Sequence, residues 1–468
     1  MKISFHGAAQ MVTGSKHIIH LNNGKKILLD CGLFQGMGEE TFKLNSSFGF
    51  DPKEISYVII SHAHIDHTGL LPKLVKEGYK GKIFCTPATA DLTGVLLQDS
   101  AFIQESDVEY INKKREQKGQ PLISPLYTVE DAKNVLPLLV KIPYKQVYEI
   151  DDDISFQYTD AGHILGSAAV HLTIKEEGTE QRISFSGDVG RYRDVILCSP
   201  DTFPQADYIL IESTYGDSLH EDYHNSKEDI YKHIVETCVK NKGKLIIPAF
   251  SVGRTQELLF ALNQLELEGR LPNIPYYVDS PLSSKSTEII KNHSELFNKR
   301  VQRLMEIDKF PFDFKGLKFI EDVSESKSLN NRKDPMVIIS ASGMAEAGRV
   351  KHHIANNIEN PRCKVLLTGF CSINTLGHRL LSGAKEVRIF TDFYKVKCKI
   401  ASIKSMSAHG DYDDLSQFLS CQNPDLVKGV FVVHGEFGVQ KHFQTKLFKK
   451  GFKNVNVPAI HQTFNLEF

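Results

Sequence analysis

Three histidines and an aspartate fall within six residues in the segment His62-Ala63-His64-Ile65-Asp66-His67. They follow an apolar run, Tyr57-Val58-Ile59-Ile60, that reads as a buried strand, and they end at Thr68-Gly69. Alternation lets His62 and His64 point at one ion, while Asp66 and His67 on the next turn reach a second. Imidazole and carboxylate ligands suit borderline and hard divalent cations. A structural zinc would more often be closed by cysteines at four-ligand spacing, and the cluster has none, so the pattern reads as a catalytic site with open positions. Three further candidates stand at the ends of later strands. They are His163 in Ala161-Gly162-His163-Ile164-Leu165-Gly166-Ser167, Asp188 in Ser186-Gly187-Asp188-Val189-Gly190, and His434 after Val430-Phe431-Val432-Val433. A lone histidine beside glycine is usually a loop residue; three ordered strand-end candidates after the first cluster change that balance.

The elements that must position these residues come in two textures. Up to about residue 208 the chain shows short strands, at 2–5, 15–21, 26–30, 57–61, 82–85, 154–159, 168–174 and 183–186, with a helix predicted over 88–103. From Tyr208 short unalternated apolar runs alternate with stretches of helical length: 208–211, 244–247, 275–278, 336–339, 364–367 and 387–390. That rhythm predicts βαβ units and a largely parallel sheet buried on both faces. Near Lys395 the first texture returns and carries His409 and His434. The candidate ligands therefore flank an α/β block.

The pattern HxHxDH, followed by His163, Asp188 and His434 and preceded by Leu28-Leu29-Asp30-Cys31-Gly32, resembles the metallo-β-lactamase superfamily. Gly7-Ala8-Ala9-Gln10-Met11-Val12-Thr13-Gly14-Ser15, Ile211-Glu212-Ser213-Thr214-Tyr215-Gly216, Ser251-Val252-Gly253-Arg254-Thr255-Gln256-Glu257, Val278-Asp279-Ser280-Pro281-Leu282, the stretch from Ser340 to Arg349, and Ser407-Ala408-His409-Gly410-Asp411 together resemble its β-CASP branch, the nucleases that process RNA and DNA. Glu212 stands where other members carry Asp. The resemblance covers nearly the whole chain and implies a four-layer αββα metallo-β-lactamase fold with an inserted Rossmann-like parallel α/β (β-CASP) domain. The expected division is 1–208 for the first part of the metallo-β-lactamase domain, 209–392 for the insert and 393–468 for the return segment. His434 stands where the RNA-cleaving members carry His and the DNA cross-link repair branch usually Val. The chain looks like the compact bacterial type, without the KH domain of archaeal relatives or the C-terminal domain of ribonuclease J.

Carried over residue by residue, the resemblance implies that His62, His64 and His163 hold one ion, Asp66, His67 and His434 a second, with Asp188 bridging and Asp30 behind the ligands. The implied cofactor is two Zn2+, with Mn2+ an alternative at the second position. Paired metals give a hydroxide nucleophile at neutral pH and neutralise a phosphodiester's charge. Asp66 would also orient that hydroxide. The leaving 3′ oxygen needs a proton, and His409 is the candidate acid because imidazole titrates near neutrality. Glu212 would bond it and raise its pKa. The implied activity is a zinc-dependent ribonuclease using a metal-bridging hydroxide and leaving 5′-phosphate and 3′-hydroxyl ends, in RNA processing or decay. Ser251, Arg254, Ser340, Ser342 and Arg349 stand in small-residue turns before expected helices, where amides, hydroxyls and guanidinium groups could cradle a substrate phosphate; tight strand-to-helix packing explains them almost as well.

Composition narrows the setting. With Lys+Arg 56 and Asp+Glu 57, no global field draws the chain to nucleic acid or membrane, so any nucleic-acid contact is local. No apolar run is long enough to span a bilayer, and the start lacks a signal-peptide core. Eight cysteines without a CxxC pair read as reduced thiols of a cytoplasmic protein. The expected partner is single-stranded RNA, with no membrane; a homodimer or membership of an RNA-processing complex is open. The run Lys441, His442, Lys446, Lys449, Lys450 and Lys453 reads as a helix's solvated face sooner than as an RNA contact. His220-Glu221-Asp222-Tyr223-His224 matches HExxH, but its polar flanks suit a loop rather than the buried helix a zinc-protease site needs. His171, His293, His352 and His353 read as structural. The rival functions are a DNA nuclease of the same fold and a non-catalytic RNA-binding subunit; the full ligand set argues against the latter.

Overall fold

The computed structural model describes residues 1–38, 40–176, 178–220, 226–369 and 371–467, so the segment 221–224 of the HExxH match lies outside the described residues. Two compact units are present, Met1–Leu219 with His409–Phe468, and His220–Ala408.

The first unit holds two seven-stranded sheets. One runs, edge to edge, Thr463–Asn465, Lys2–Gly7, Lys16–His20, Lys26–Leu29, Tyr57–Ile59, Ile83–Cys85 and Leu139–Lys141. The other runs Val455–Asn456, Gly429–Val432, Tyr208–Ile211, Thr179–Phe185, Ala168–Glu176, Ile154–Asp160 and Val147–Glu149. Side-chain alternation along these strands sorts the apolar residues into layers. Ile27 and Leu29 from one sheet meet Phe185, Leu210 and Phe431 from the other in a core between the sheets. Their neighbours face outward. Leu28 and Val58 pack with Leu70, Leu74 and Leu97 on one side. Ile209, Ile211, Val430 and Val432 pack with Leu415, Phe443 and Leu447 on the other. Apart from Leu70, which caps the first of them, those partners come from the helices Leu71–Lys76 and Pro87–Gln117, and from Tyr412–Phe418 and Phe437–Lys449. The layering is αββα.

The second unit is built on a six-stranded sheet ordered Leu317–Phe319, Tyr276–Val278, Met336–Ser340, Lys244–Pro248, Lys364–Leu367 and Lys399–Ser402, parallel throughout. Helices such as Arg254–Leu267, Pro281–Asn292 and Arg349–Asn357 connect the strands. This is the Rossmann-like insert.

The structure departs from the sequence reading in four places. Tyr208–Ile211 lies in the first unit, parallel to Thr179–Phe185 and Gly429–Val432. A strand buried on both faces has the same apolar run in either sheet, so composition does not assign it. Lys399–Ser402 pairs with Lys364–Leu367 in the insert's sheet, so the units part after 219 and 408 rather than after 208 and 392. The run at 387–390 is an arm of an antiparallel hairpin, Glu386–Ile389 with Asp392–Lys395. The helix expected over 88–103 extends from Pro87 to Gln117, its last turns polar and exposed. All eight cysteines are free thiols. Among the described residues no helix is long and apolar enough to cross a membrane.

Candidate metal centre

The HxHxDH segment is a backbone-clamped turn. After the strand Tyr57–Ile59, one helical turn, Ile65–Thr68, carries Asp66 and His67. Its carbonyls are gripped by neighbouring amides: Ser15 N donates to Asp66 O at 2.8 Å, Cys31 N to His67 O at 2.7 Å and Leu33 N to Ile65 O at 2.9 Å. Gly32 is required here, because a Cβ on it would stand 1.6 Å from the Asp66 carbonyl oxygen. Gly190 does the same between the later loops, since its Cβ would meet Gly162 O at 1.8 Å, and this contact holds the His163 turn against the Asp188 turn.

Seven side chains converge. His64 Nδ1 lies 3.1 Å from His62 Nε2 and 3.2 Å from His163 Nε2. Asp188 Oδ2 completes this set, 3.4 Å from His62 Nε2 and 3.6 Å from His163 Nε2. In a second set, His434 Nε2 lies 3.2 Å from His67 Nε2 and 3.5 Å from Asp66 Oδ2. Asp188 Oδ1 faces this set, 3.3 Å from His67 Nε2 and 3.5 Å from His434 Nδ1. One carboxylate thus presents an oxygen to each set. Each of the sets His62–His64–His163–Asp188 and Asp66–His67–His434 has its donor atoms within 4.8 Å of one another.

The donors fit divalent cations. Tetrahedral ligands about 2.0–2.1 Å from zinc stand roughly 3.4 Å from one another, the spacing found in the first set. Asp188 Oδ1 is buried and, among the described residues, has no well-directed hydrogen bond, only the facing His67 Nε2 at 3.3 Å and His434 Nδ1 at 3.5 Å, an arrangement that a cation would relieve. His62 and His64 are suitably neutral. Burial above all, with the neighbouring His67, holds His62 well below its usual pKa, and burial brings His64 down to about 4. Asp188 is held well below the carboxylate range: burial works against its charge, and His434, His67 and His62 outweigh it. His67 goes the other way, its burial overcome by Asp188 and Asp30. Metal uptake at that position would release a proton.

A buried frame sits behind the ligands. Asp30 has a left-handed backbone (φ 57°) and is fully buried. Its Oδ2 lies 2.6 Å from His67 Nδ1, and it accepts from Ser61 N at 2.8 Å and Ser61 Oγ at 2.9 Å. Ser61 Oγ is also 3.0 Å from His62 Nδ1, and Thr214 Oγ1 is 3.1 Å from His434 Nδ1. Ser61 and Thr214 were missed by the sequence reading. A hydroxyl one residue before HxHxDH, and another two residues after Glu212, were the available signals.

His409 and Glu212 are brought together as expected. Glu212 is fully buried and its carboxylate is pinned, Oε1 accepting from Val189 N at 2.8 Å and Oε2 from Thr214 N at 3.0 Å. His409 Nδ1 lies 3.1 Å from Glu212 Oε1 and 3.9 Å from Asp188 Oδ2. Burial opposes the imidazolium, but Glu212 first and Asp188 next hold it up at about 9.

The five residues expected at substrate stand at the carboxyl ends of the insert's strands. Ser251 Oγ is 3.4 Å from Ser280 Oγ, and Ser340 Oγ donates to Asp279 O at 2.8 Å. Ser342 Oγ accepts from Glu346 N and Ala347 N, both at 3.2 Å. The two arginines are engaged within the insert. Arg254 pairs with Glu257, and Arg349 donates to Asp279 at 2.7 Å and to Glu321 O at 2.6 Å. His353 also bonds Asp279, at 2.6 Å, and His171 lies between Thr159 and Ser184 hydroxyls at 2.7 and 2.9 Å; both are structural. In the basic run, Lys446 lies over the Tyr412 ring at 4.9 Å and Lys453 pairs with Asp425 at 2.8 Å.

A four-layer sandwich with a Rossmann-like insert and a buried His/Asp cluster defines a metallo-hydrolase of the metallo-β-lactamase class. Comparison with known proteins agrees. The metallo-beta-lactamase superfamily model matches residues 17–249, the Beta-Casp domain model 255–380, and the model of the Zn-dependent metallo-hydrolase RNA specificity domain 394–458. A ribonuclease of Thermus thermophilus is 33% identical over 93% of this chain and 93% of its own. An RNase J-like protein of Methanocaldococcus jannaschii is 30% identical over 93% of this chain and 92% of its own. The transcription termination factor FttA of Methanosarcina mazei is 30% identical over 91% of this chain and 65% of its own. The chain belongs to the β-CASP ribonuclease branch of the metallo-β-lactamase superfamily and is a metal-dependent hydrolase.

Proposed function

We propose that this protein is a zinc-dependent ribonuclease that hydrolyses phosphodiester bonds of single-stranded RNA, leaving a 5′-phosphate and a 3′-hydroxyl. The observation that carries the reading is the His409–Glu212 pair, 3.1 Å apart, beside a bridging Asp188. A proton donor at that place serves a poor alkoxide leaving group. The kinship with a ribonuclease and an RNase J-like protein supports RNA as the substrate.

His62, His64 and His163 with Asp188 Oδ2 would hold one zinc; Asp66, His67 and His434 with Asp188 Oδ1 would hold the other, where manganese also fits. Bound cations of this kind lower the pKa of water towards about 7 and neutralise phosphate charge. The protein does the rest. Asp66, kept ionised by His434 against its burial, orients the attacking water. Glu212 bonds His409 Nδ1, which leaves Nε2–H to protonate the departing 3′ oxygen. Asp30 fixes the His67 tautomer and the direction of Nε2. We assign the metallo-β-lactamase domain to both ends of the chain, the β-CASP domain to the middle, and the protein to the cytoplasm.

The test compares matched single-stranded RNA and DNA, labelled at either end, with zinc- or manganese-loaded protein and its His409→Ala and Asp66→Ala variants. RNA-selective cleavage lost in both variants is expected, and the label position separates endo from exo action. Equal cleavage of DNA, with His434→Val tolerated, would move the assignment to a DNA nuclease. Full metal occupancy without cleavage of either strand would refute the nuclease reading.

A further inference from the structure

The insert carries an exposed aromatic and cationic surface that the chemistry above does not use. In the hairpin of Glu386–Ile389 with Asp392–Lys395, Val387 and Ile389 are buried against the insert's core, so the alternate residues face outward. Arg388 stands directly across the ladder from Phe393, and Lys395 across from Glu386. Phe393 is 68% exposed, an unusual state for phenylalanine on a strand's outer face. At the tip, Phe390 is 46% exposed and has a left-handed backbone (φ 58°), where a tight hairpin ordinarily takes Gly, Asn or Asp. Lys351 Nζ lies 5.0 Å from the centre of the Phe390 ring, and the His352 ring 4.6 Å from it. Two carboxylates, Glu386 and Asp392, share the hairpin. Glu359 Oε1 accepts from the Lys395 backbone N at 3.1 Å, and among the described residues no ion pair joins a carboxylate to the side chains of Arg388, Lys395 or Lys351, so their charges can meet another anion.

We propose that the outer face of this hairpin is a stacking platform for single-stranded RNA. Phe393 and Phe390 take bases, and Arg388, Lys395 and Lys351 take the adjoining phosphates. The inference rests on the RNA reading above. Aromatic rings interleaved with cations suit single strands because every base offers a π-face and every linkage a charge. The chain has no tryptophan, so phenylalanine is its large purely apolar stacking ring. A near-neutral chain draws RNA through local patches of this kind rather than through its overall field.

The test uses the metal-loaded full chain and a single-stranded RNA 20-mer. Phe393→Ala is expected to raise KM on the 20-mer about tenfold with kcat unchanged, as loss of one stacked base predicts. Phe393→Tyr should restore the original KM. Arg388→Gln with Lys395→Gln should lower the slope of log affinity against log salt by about 0.7 per charge. Unchanged KM in Phe393→Ala, or a loss that Phe393→Tyr does not restore, overturns the platform while RNA cleavage by the parent protein leaves the ribonuclease reading standing. A parent protein that does not cut the RNA overturns both. Light scattering that shows a dimer in the parent and a monomer in Phe393→Ala would assign the face to a second copy of the chain instead.

Discussion

Glu212→Gln removes one charge and almost no volume, and its effect can be worked from the site. Glu212 Oε1 lies 3.1 Å from His409 Nδ1 and is the first cause that raises this imidazole from 6.5 to about 9, against the opposing pull of burial. That rise is worth about 3 kcal/mol of preference for the protonated ring. Asp188 contributes as well, but cations bound between its two oxygens would absorb its charge. Glu212 is then the principal support of the imidazolium. The sign follows directly. A raised pKa keeps the proton on His409 to higher pH, and a rate that needs this proton falls as pH climbs through the pKa. Without the Glu212 charge the fall moves to lower pH, by about one to two units on the same scale. We expect the alkaline limb of kcat for RNA cleavage to shift downward by that amount in Glu212→Gln, with the rate at pH 6 recovering towards the parent's. Glu212→Asp retains the charge and should retain the limb. Because Glu212 also accepts from Val189 N and Thr214 N, a melting curve must accompany each profile. An alkaline limb that stays in place in a folded Glu212→Gln protein, or a loss that is equal at every pH, would refute the assignment of His409 as an acid tuned by Glu212.

Three further outcomes are expected. Asp30→Ala should weaken zinc binding about 10- to 100-fold, since it frees the His67 ring; competition against a chromophoric chelator measures this, and unchanged affinity would remove Asp30 from the site's support. Gly32→Ala should leave little folded protein, because its Cβ would lie 1.6 Å from the Asp66 carbonyl oxygen; a normal melting temperature would show that the turn can shift to admit a methyl group. Removing metal with a chelator should lower the melting temperature by the equivalent of about 4 kcal/mol at a thousandfold excess of cation over its dissociation constant, and a melting temperature that does not respond to metal would argue against two buried cation sites.

What the sequence determined by itself is the site's inventory. HxHxDH, His163, Asp188 and His434 are polar groups at the ends of apolar runs, a contrast readable without coordinates, whereas Glu212 and His409 were marked by the family resemblance. The parallel sheet of the insert was legible for a related reason, because strands buried on both faces write continuous apolar runs, whereas the αββα layering was implied only by the family resemblance. Tertiary structure decided what depends on distant partners. Tyr208–Ile211 and Lys399–Ser402 each joined a sheet other than the one their neighbours in sequence suggested, since strand pairing is chosen among similar apolar edges and not by composition. The helix from Pro87 ran on to Gln117 because a solvated half needs no apolar period to stay helical. Arg254 and Arg349 proved to be engaged with Glu257 and Asp279, pairings that no spacing in the chain announces for Arg349 and Asp279, which lie far apart in sequence. Ser61 and Thr214 gained their positions from the imidazoles beside them. The place of Asp188, one oxygen facing each cluster of donors, exists only where four separate loops meet, because residues far apart in sequence must first be folded together.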